Sequence, residues 1–141
     1  MMMTDAPRAT AGTAGTGIGF VRQLLVFNLA LVALQALSAG LLMSGYAPAL
    51  KAHALVAVAL QFGALVQAVA AAVQWRRRRL PAWVAGVSIG LFVMVFLQAG
   101  FGYRRLYWLH VPIGVGIFGG LTRQVNRLDV RRCTTGGLPQ S

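Results

Sequence analysis

The sequence predicts an all-α membrane protein, an up-down-up-down four-helix transmembrane bundle with both termini in the cytoplasm. Three observations lead to this fold class. The chain of 141 residues is 57% hydrophobic and only 11% charged, whereas a soluble domain carries about 25% charged residues. It contains several apolar segments near the length of about 20 residues that a helix needs to span a bilayer. Its basic residues are also distributed unevenly between the ends of those segments.

The apolar segments divide residues 20–122 into four spans. The spans cover approximately residues 24–44, 52–75, 82–102 and 106–121. Only helices and closed barrels satisfy the backbone within a bilayer, and these segments are too long and too uniformly apolar for barrel strands. Short connections make consecutive helices antiparallel neighbours, which gives the bundle. We expect residues 1–19 and 123–141 to be disordered tails, the second of them basic.

The net charge of +11 is a topology signal. Ten basic residues fall on one side of the predicted bundle: Arg8, Arg22, Arg76, Arg77, Arg78, Arg79, Arg123, Arg127, Arg131 and Arg132. Only Lys51, Arg104 and Arg105 fall on the other side. This asymmetry is typical of a cytoplasmic face. It favours a multi-pass protein of a bacterial inner membrane that attracts anionic lipid head groups, and it argues against nucleic acid as the partner.

His53 and His110 are the two histidines of the chain, and they lie near the starts of the second and fourth spans. In a square antiparallel bundle these helices lie on one diagonal, and both start from the outer face. Two imidazoles at one level of a helix bundle can bind a haem iron from both sides. The sequence therefore predicts a b-type haem with these residues as axial ligands. The alternative is a pair of interfacial histidines that only form hydrogen bonds.

The neighbours of the two histidines suit a flat, acidic cofactor. Ala57 and Gly114 each follow a histidine by four residues, so a macrocycle has small side chains to lie against. Lys51, Arg104 and Arg105 are candidate partners for the haem propionates, because arginine pairs well with carboxylates. The alternatives are close packing between helices and ordinary flanking of a span by basic residues.

A weak internal repeat links the two halves of the bundle. Leu34-Gln35-Ala36 in the first span recurs as Leu97-Gln98-Ala99 in the third, and a histidine follows each copy. The repeat indicates duplication of a helical hairpin. Gln35 and Gln98 are therefore candidates for hydrogen bonding around a cofactor, although packing between helices is the commoner role of such residues.

The chemistry missing from the spans disfavours an enzyme. Asp5 and Asp129 are the only acidic residues, and both fall in the predicted tails. No carboxylate is placed for acid–base catalysis, and no nucleophile has an oriented base. Cys133 is the one cysteine and matches no metal-binding motif.

These motifs resemble one four-helix half of haem A synthase. The matching segments are Leu34-Gln35-Ala36, Lys51-Ala52-His53, Leu97-Gln98-Ala99-Gly100 and Leu109-His110-Val111-Pro112-Ile113-Gly114. The resemblance covers roughly residues 24–122, and small bacterial four-helix membrane proteins look like the same half-unit. It implies that His53 and His110 are axial haem ligands. This chain has a single bundle, and its segment 44–51 lacks the acidic residue and the cysteines of that family, so the resemblance implies haem binding rather than oxidation of haem.

Two kinds of function follow from the sequence. The first is a haem b protein that serves electron transfer or haem handling. The second is a cofactor-free structural or accessory subunit that packs against a membrane protein partner or a second copy. Two GxxxG segments, starting at Gly86 and Gly116, would allow such close helix approach.

Overall fold

The computed structural model describes residues 11–136, with side chains from 17 to 130, as a four-helix bundle. The helices are α1 (Ala11–Met43), α2 (Ala49–Arg76), α3 (Ala82–Tyr103) and α4 (Tyr107–Gly136). Each helix packs against the next one in the chain, and α4 packs against α1, whereas helices on the diagonals do not approach each other closely. The helices therefore form a ring, and α2 faces α4 across its centre.

The outer surface of the bundle is apolar. Leu55, Trp108 and Val115 are each about two-thirds exposed or more, and such large exposed patches mark surfaces that contact lipid or protein. In the described part of the chain, three helices are long and apolar enough to cross a membrane: Gly17–Met43, Ala49–Arg76 and Ala82–Tyr103. Helix α4 is not among these three helices, because the arginines and Asp129 in its second half lower its mean hydropathy.

Residues 1–19 and 123–141 were predicted to be disordered tails. This prediction was wrong for the parts that the structure describes, which are helical. Helix α4 continues past Leu121 to Gly136, and α1 starts at Ala11. Val125 and Leu128 explain the first difference, because they continue the buried stripe of Leu121 at helical spacing. In α1, the side chain of Ile18 packs against the core, which explains why the helix begins before the predicted span. Residues 1–10 and 137–141 lie outside the described part of the chain.

An ion pair joins the start of α1 to the end of α4. The guanidinium of Arg22 donates to both carboxylate oxygens of Asp129, with Nη2 to Oδ2 at 3.1 Å. Both side chains are partly exposed, and a two-bond arginine–carboxylate pair has fixed geometry. Asp129 thus belongs to the bundle, and the prediction that placed it in a tail was wrong.

One polar side chain from each helix meets in the core. We name Asn28, Gln67, Ser88 and Gln124 the polar cluster, and each is at most 1% exposed. Asn28 Nδ2 donates to Gln67 Oε1 at 2.8 Å, and the Nε2 atoms of Gln67 and Gln124 donate to Ser88 Oγ at 3.4 and 3.0 Å. Gln124 also donates to the Val84 carbonyl. Gln124 lies in the segment that the sequence predicted to be a disordered tail, so its place in the core was not predicted.

The three turns between helices share one backbone geometry. After α1, α2 and α3 the chain places Gly45, Arg78 and Arg105 in the left-handed region, at φ of 88°, 56° and 57°. In each turn the next amide bonds to a carbonyl five residues back, for example Leu106 N to Phe101 O at 2.9 Å. This is a Schellman end, in which glycine is the favoured residue.

Arg105→Gly should therefore stabilise the bundle. A side chain in the left-handed region costs about 1–2 kcal/mol, and we expect a gain of about 1 kcal/mol because the freedom of glycine in the unfolded chain offsets part of the relief. Unfolding in mixed micelles measures the change. Arg104→Gly is the matched control, since Arg104 has an ordinary φ of −82°. Equal effects at both positions would contradict the explanation.

Candidate functional site

The two histidines come together at one level of the bundle. His53 is the fifth residue of α2, and His110 is the fourth residue of α4. Their ring centroids lie 6.2 Å apart with a 58° angle between the ring planes. In the predicted spans, which start at residues 52 and 106, His110 lies deeper than His53. Helix α2 starts earlier than predicted, at Ala49, so the two histidines lie at nearly the same distance from the starts of their helices. The distant positions 53 and 110 therefore meet across the diagonal of the ring.

His110 is held by the third helix. Its Nδ1 lies 2.8 Å from the carbonyl oxygen of Gln98, and Gln98 Nε2 donates to the His110 carbonyl at 3.3 Å. The Gln98 carbonyl can only accept, so His110 Nδ1 carries the proton. The ring lies against Gly102, where an added Cβ would be 3.0 Å from His110 Cε1. The sequence predicted a supporting role for Gln98, and its backbone carbonyl makes the contact with the ring.

His53 is held in an equivalent way through a serine. Ser38 Oγ donates to the Gln35 carbonyl at 3.0 Å and lies 3.0 Å from His53 Nδ1. A hydroxyl has one proton, and Ser38 gives it to Gln35, so it accepts the proton of His53 Nδ1. Each histidine is thus fixed by the carbonyl of the glutamine in its own hairpin, directly for His110 and through Ser38 for His53. Ser38 was not predicted as a site residue, although its position three residues after Gln35 could have indicated it.

These contacts leave both Nε2 atoms with a lone pair. No hydrogen bond from a described residue reaches either atom. Metal–imidazole bonds are about 2.0–2.1 Å long and a ring nitrogen lies about 1.1 Å from its ring centre, so two imidazoles on opposite sides of one ion have centres about 6 Å apart. The separation of 6.2 Å between the two rings matches this spacing.

A cavity of about 480 Å³ adjoins the histidine pair. We name it the histidine cavity. Small and apolar side chains form most of its wall, with Gln35, Gln98 and the two rings as the polar groups. The wall comes mainly from α1 and α4: Val32, Ala33, Ala36, Ala39, Val111, Gly114, Val115 and Phe118. Gln35 Oε1 is buried without a hydrogen-bond partner among the described residues. The cavity size falls in the range of about 300–1,000 Å³ typical of ligand pockets.

The structure does not bring every predicted site residue to this cavity. Gly114 lines it and lies against the Gln98 amide, whose Nε2 would be 2.5 Å from an added Cβ. Ala57 is absent from the wall, so its predicted place against a macrocycle has no support in the geometry. Lys51, Arg104 and Arg105 are exposed and also absent from the wall. Their predicted contact with propionates is likewise unsupported, since Arg104 and Arg105 lie in the turn after α3.

The donor set is too small for a metal ion held by protein ligands alone. Within the described residues, no three histidine, cysteine or acidic side chains lie close enough to share an ion. Structural zinc sites use four protein ligands and catalytic zinc sites use three. Two imidazoles with free Nε2 atoms instead suit an ion whose other ligands come with a cofactor.

Comparison with family models, curated proteins and solved structures found no match for this chain. The histidine pair and its surroundings are therefore the basis for assigning a function.

Proposed function

We propose that this chain is an integral membrane protein that binds one b-type haem through His53 and His110. The observation that carries the proposal is the matched pair of imidazoles. Each donates through Nδ1 to a fixed oxygen and keeps Nε2 for a metal, at the ring separation of 6.2 Å. Ligating histidines almost always donate their other ring nitrogen in this way. The macrocycle would supply the four ligands that the protein lacks.

Haem iron provides one-electron chemistry, and this proposal assigns the chain to electron transfer or haem handling. The protein's own part is to hold and shield the group. The Gln98 carbonyl and Ser38 fix the ring orientations and make the ligating nitrogens more basic. The wall from α1 and α4 would surround the group with mostly apolar side chains.

The membrane arrangement is part of the proposal. We place all four helices across a bacterial inner membrane in up-down-up-down order, with both termini in the cytoplasm. Arg22, Arg123 and the arginines of 76–79 then lie on the cytoplasmic side, and Lys51 lies outside. The apolar part of α4, residues 107–121, is short for a bilayer. Tight packing and snorkelling of the flanking arginines accommodate such a helix.

The test is an absorption spectrum of the detergent-purified protein, with and without added haem, before and after dithionite. We expect a Soret band that shifts on reduction and a sharp reduced α band, which indicate two strong axial ligands. The double variant His53→Ala/His110→Ala is the control for haem that merely dissolves in the apolar surface. A spectrum without these bands after haem addition, or equal bands in the control, would refute the proposal.

One observation favours the cofactor-free subunit as a second candidate. Gly86 and Gly90 face outward on α3, and an added Cβ on either would meet no atom within 4 Å. The GxxxG segment is therefore unused inside this chain and open to a partner helix, from another protein or a second copy. Gly86→Leu with Gly90→Leu would abolish such an association in a crosslinking assay and leave the haem spectrum unchanged.

A further inference from the structure

A second cavity lies between α3 and α4, away from the histidine pair. It measures about 840 Å³ and opens on the outer surface. We name it the α3–α4 groove. Trp83 contributes from α3, and the α4 side is a continuous helical face on which Phe118 and Gly119 are followed by Thr122 and Arg123. Asn126, Arg127 and Val130 complete that face.

The wall of the groove changes from apolar to cationic along α4. Phe118 and Gly119 make its deeper part apolar, and Phe118 is 45% exposed. Arg123 and Arg127, one turn apart, make the next part cationic, and the polar side chains of Thr122 and Asn126 line the groove beside them. A surface that passes from apolar to cationic over two helical turns matches a phospholipid, whose acyl chains continue into an anionic phosphate.

The two arginines are available for an anion. Asp129 is the acidic residue among the described side chains, and it forms the two-bond pair with Arg22. Arg127 is held toward the groove by Trp83, with its guanidinium carbon 5.5 Å from the ring centroid. A cation over an indole ring is attracted to the face of the ring. Arg79 and its arginine neighbours precede Trp83 by a few residues and add positive charge at the same end.

We propose that the α3–α4 groove binds one anionic phospholipid, with the phosphate between Arg123 and Arg127 and an acyl chain along Phe118. Charge complementarity and the apolar-to-cationic order select this occupant, since a zwitterionic lipid would bring its own cation to the arginines. Trp83 forms the α3 side of the site, so its fluorescence can detect a lipid bound there. This proposal does not require that haem is bound, although Phe118 lines both the groove and the histidine cavity.

Quenching of Trp83 fluorescence by brominated lipids tests the proposal. The chain carries Trp75→Phe and Trp108→Phe, so that Trp83 is the only emitter, and is reconstituted in phosphatidylcholine vesicles. Brominated phosphatidylglycerol or brominated phosphatidylcholine is then titrated in. We expect brominated phosphatidylglycerol to quench at a much lower mole fraction. Each arginine contributes about a fivefold preference for the anionic lipid, so Arg123→Gln/Arg127→Gln should remove most of it.

The matched control is Arg76→Gln/Arg77→Gln. It removes the same charge from exposed positions at the same end of the bundle but outside the groove. The control should keep the preference for phosphatidylglycerol. Equal quenching by the two lipids would overturn the proposal. Equal loss in both double variants would also overturn it, because that result indicates a general surface charge effect. An unchanged elution profile of each variant confirms that the bundle is intact.

Discussion

His110→Gly should convert the spectrum of the reduced protein from that of a six-coordinate haem to that of a five-coordinate haem or none. Removing the ring leaves the Gln98 carbonyl and the space beside Gly102 without their partner. Added imidazole fits this space and donates to the same carbonyl, so it should restore the six-coordinate bands. The measurement is a titration of the variant with imidazole, followed by the α band. Recovery at millimolar imidazole would show that the lost group acts as a ligand.

The matched variant His53→Gly separates ligation from folding. Both variants should lose the six-coordinate bands to the same extent, because one iron needs both nitrogens. Leu55→Ala, a change at a residue on α2 that is 72% exposed, should leave the bands unchanged. Loss of the bands without any rescue by imidazole, together with a normal elution profile, would count against direct ligation by these residues.

Gly63→Ala should destabilise the bundle by about 1–3 kcal/mol, the usual range for an overpacked core. An added Cβ at position 63 would lie 2.2 Å from Asn28 Oδ1. Asn28 is fully buried and donates to Gln67, so its amide has no room to retreat without breaking the polar cluster. Unfolding in mixed micelles measures the free-energy change. Gly86→Ala is the control, since an added Cβ there meets nothing within 4 Å.

Removing the Asn28 side chain should relieve its clash with the Cβ of an alanine at position 63. In Asn28→Ala the space in front of position 63 is empty, so Gly63→Ala should cost much less in that background. The double-mutant cycle should therefore give a coupling of at least about 1 kcal/mol between the two positions. Additive effects would show that Gly63 matters for another reason, such as its helix propensity.

The sequence predicted four apolar helices because hydrophobic length is a local property. The approach of His53 to His110 follows from the order of those helices around the bundle. The end of α4 could not be predicted in the same way. Arg123, Arg127 and Asp129 make that segment polar on average, and only its contacts with other helices show that Gln124 and Leu128 face the core. Hydrophobic content alone therefore places the boundary too early.

The details of the site also depended on tertiary contacts. Ser38 became recognisable only when α1 and α2 placed its hydroxyl between His53 and the Gln35 carbonyl. Lys51 and Arg105 are close to a histidine in sequence, yet the helix starts and turns direct them away from the cavity wall. Proximity along a chain predicts a shared end of the bundle but does not determine which side chains share a cavity.

The polar cluster also has a consequence for assembly. Asn28, Gln67, Ser88 and Gln124 bond all four helices at one depth, while the imidazoles meet at another. A helix that slid by one turn would move about 5.4 Å, which breaks its bonds in the cluster and, where that helix is α2 or α4, also separates the two rings. Apolar faces alone tolerate such sliding, because one row of small and aliphatic side chains packs much like the next. The polar cluster thus favours the one register of the four helices in which the two imidazoles also meet.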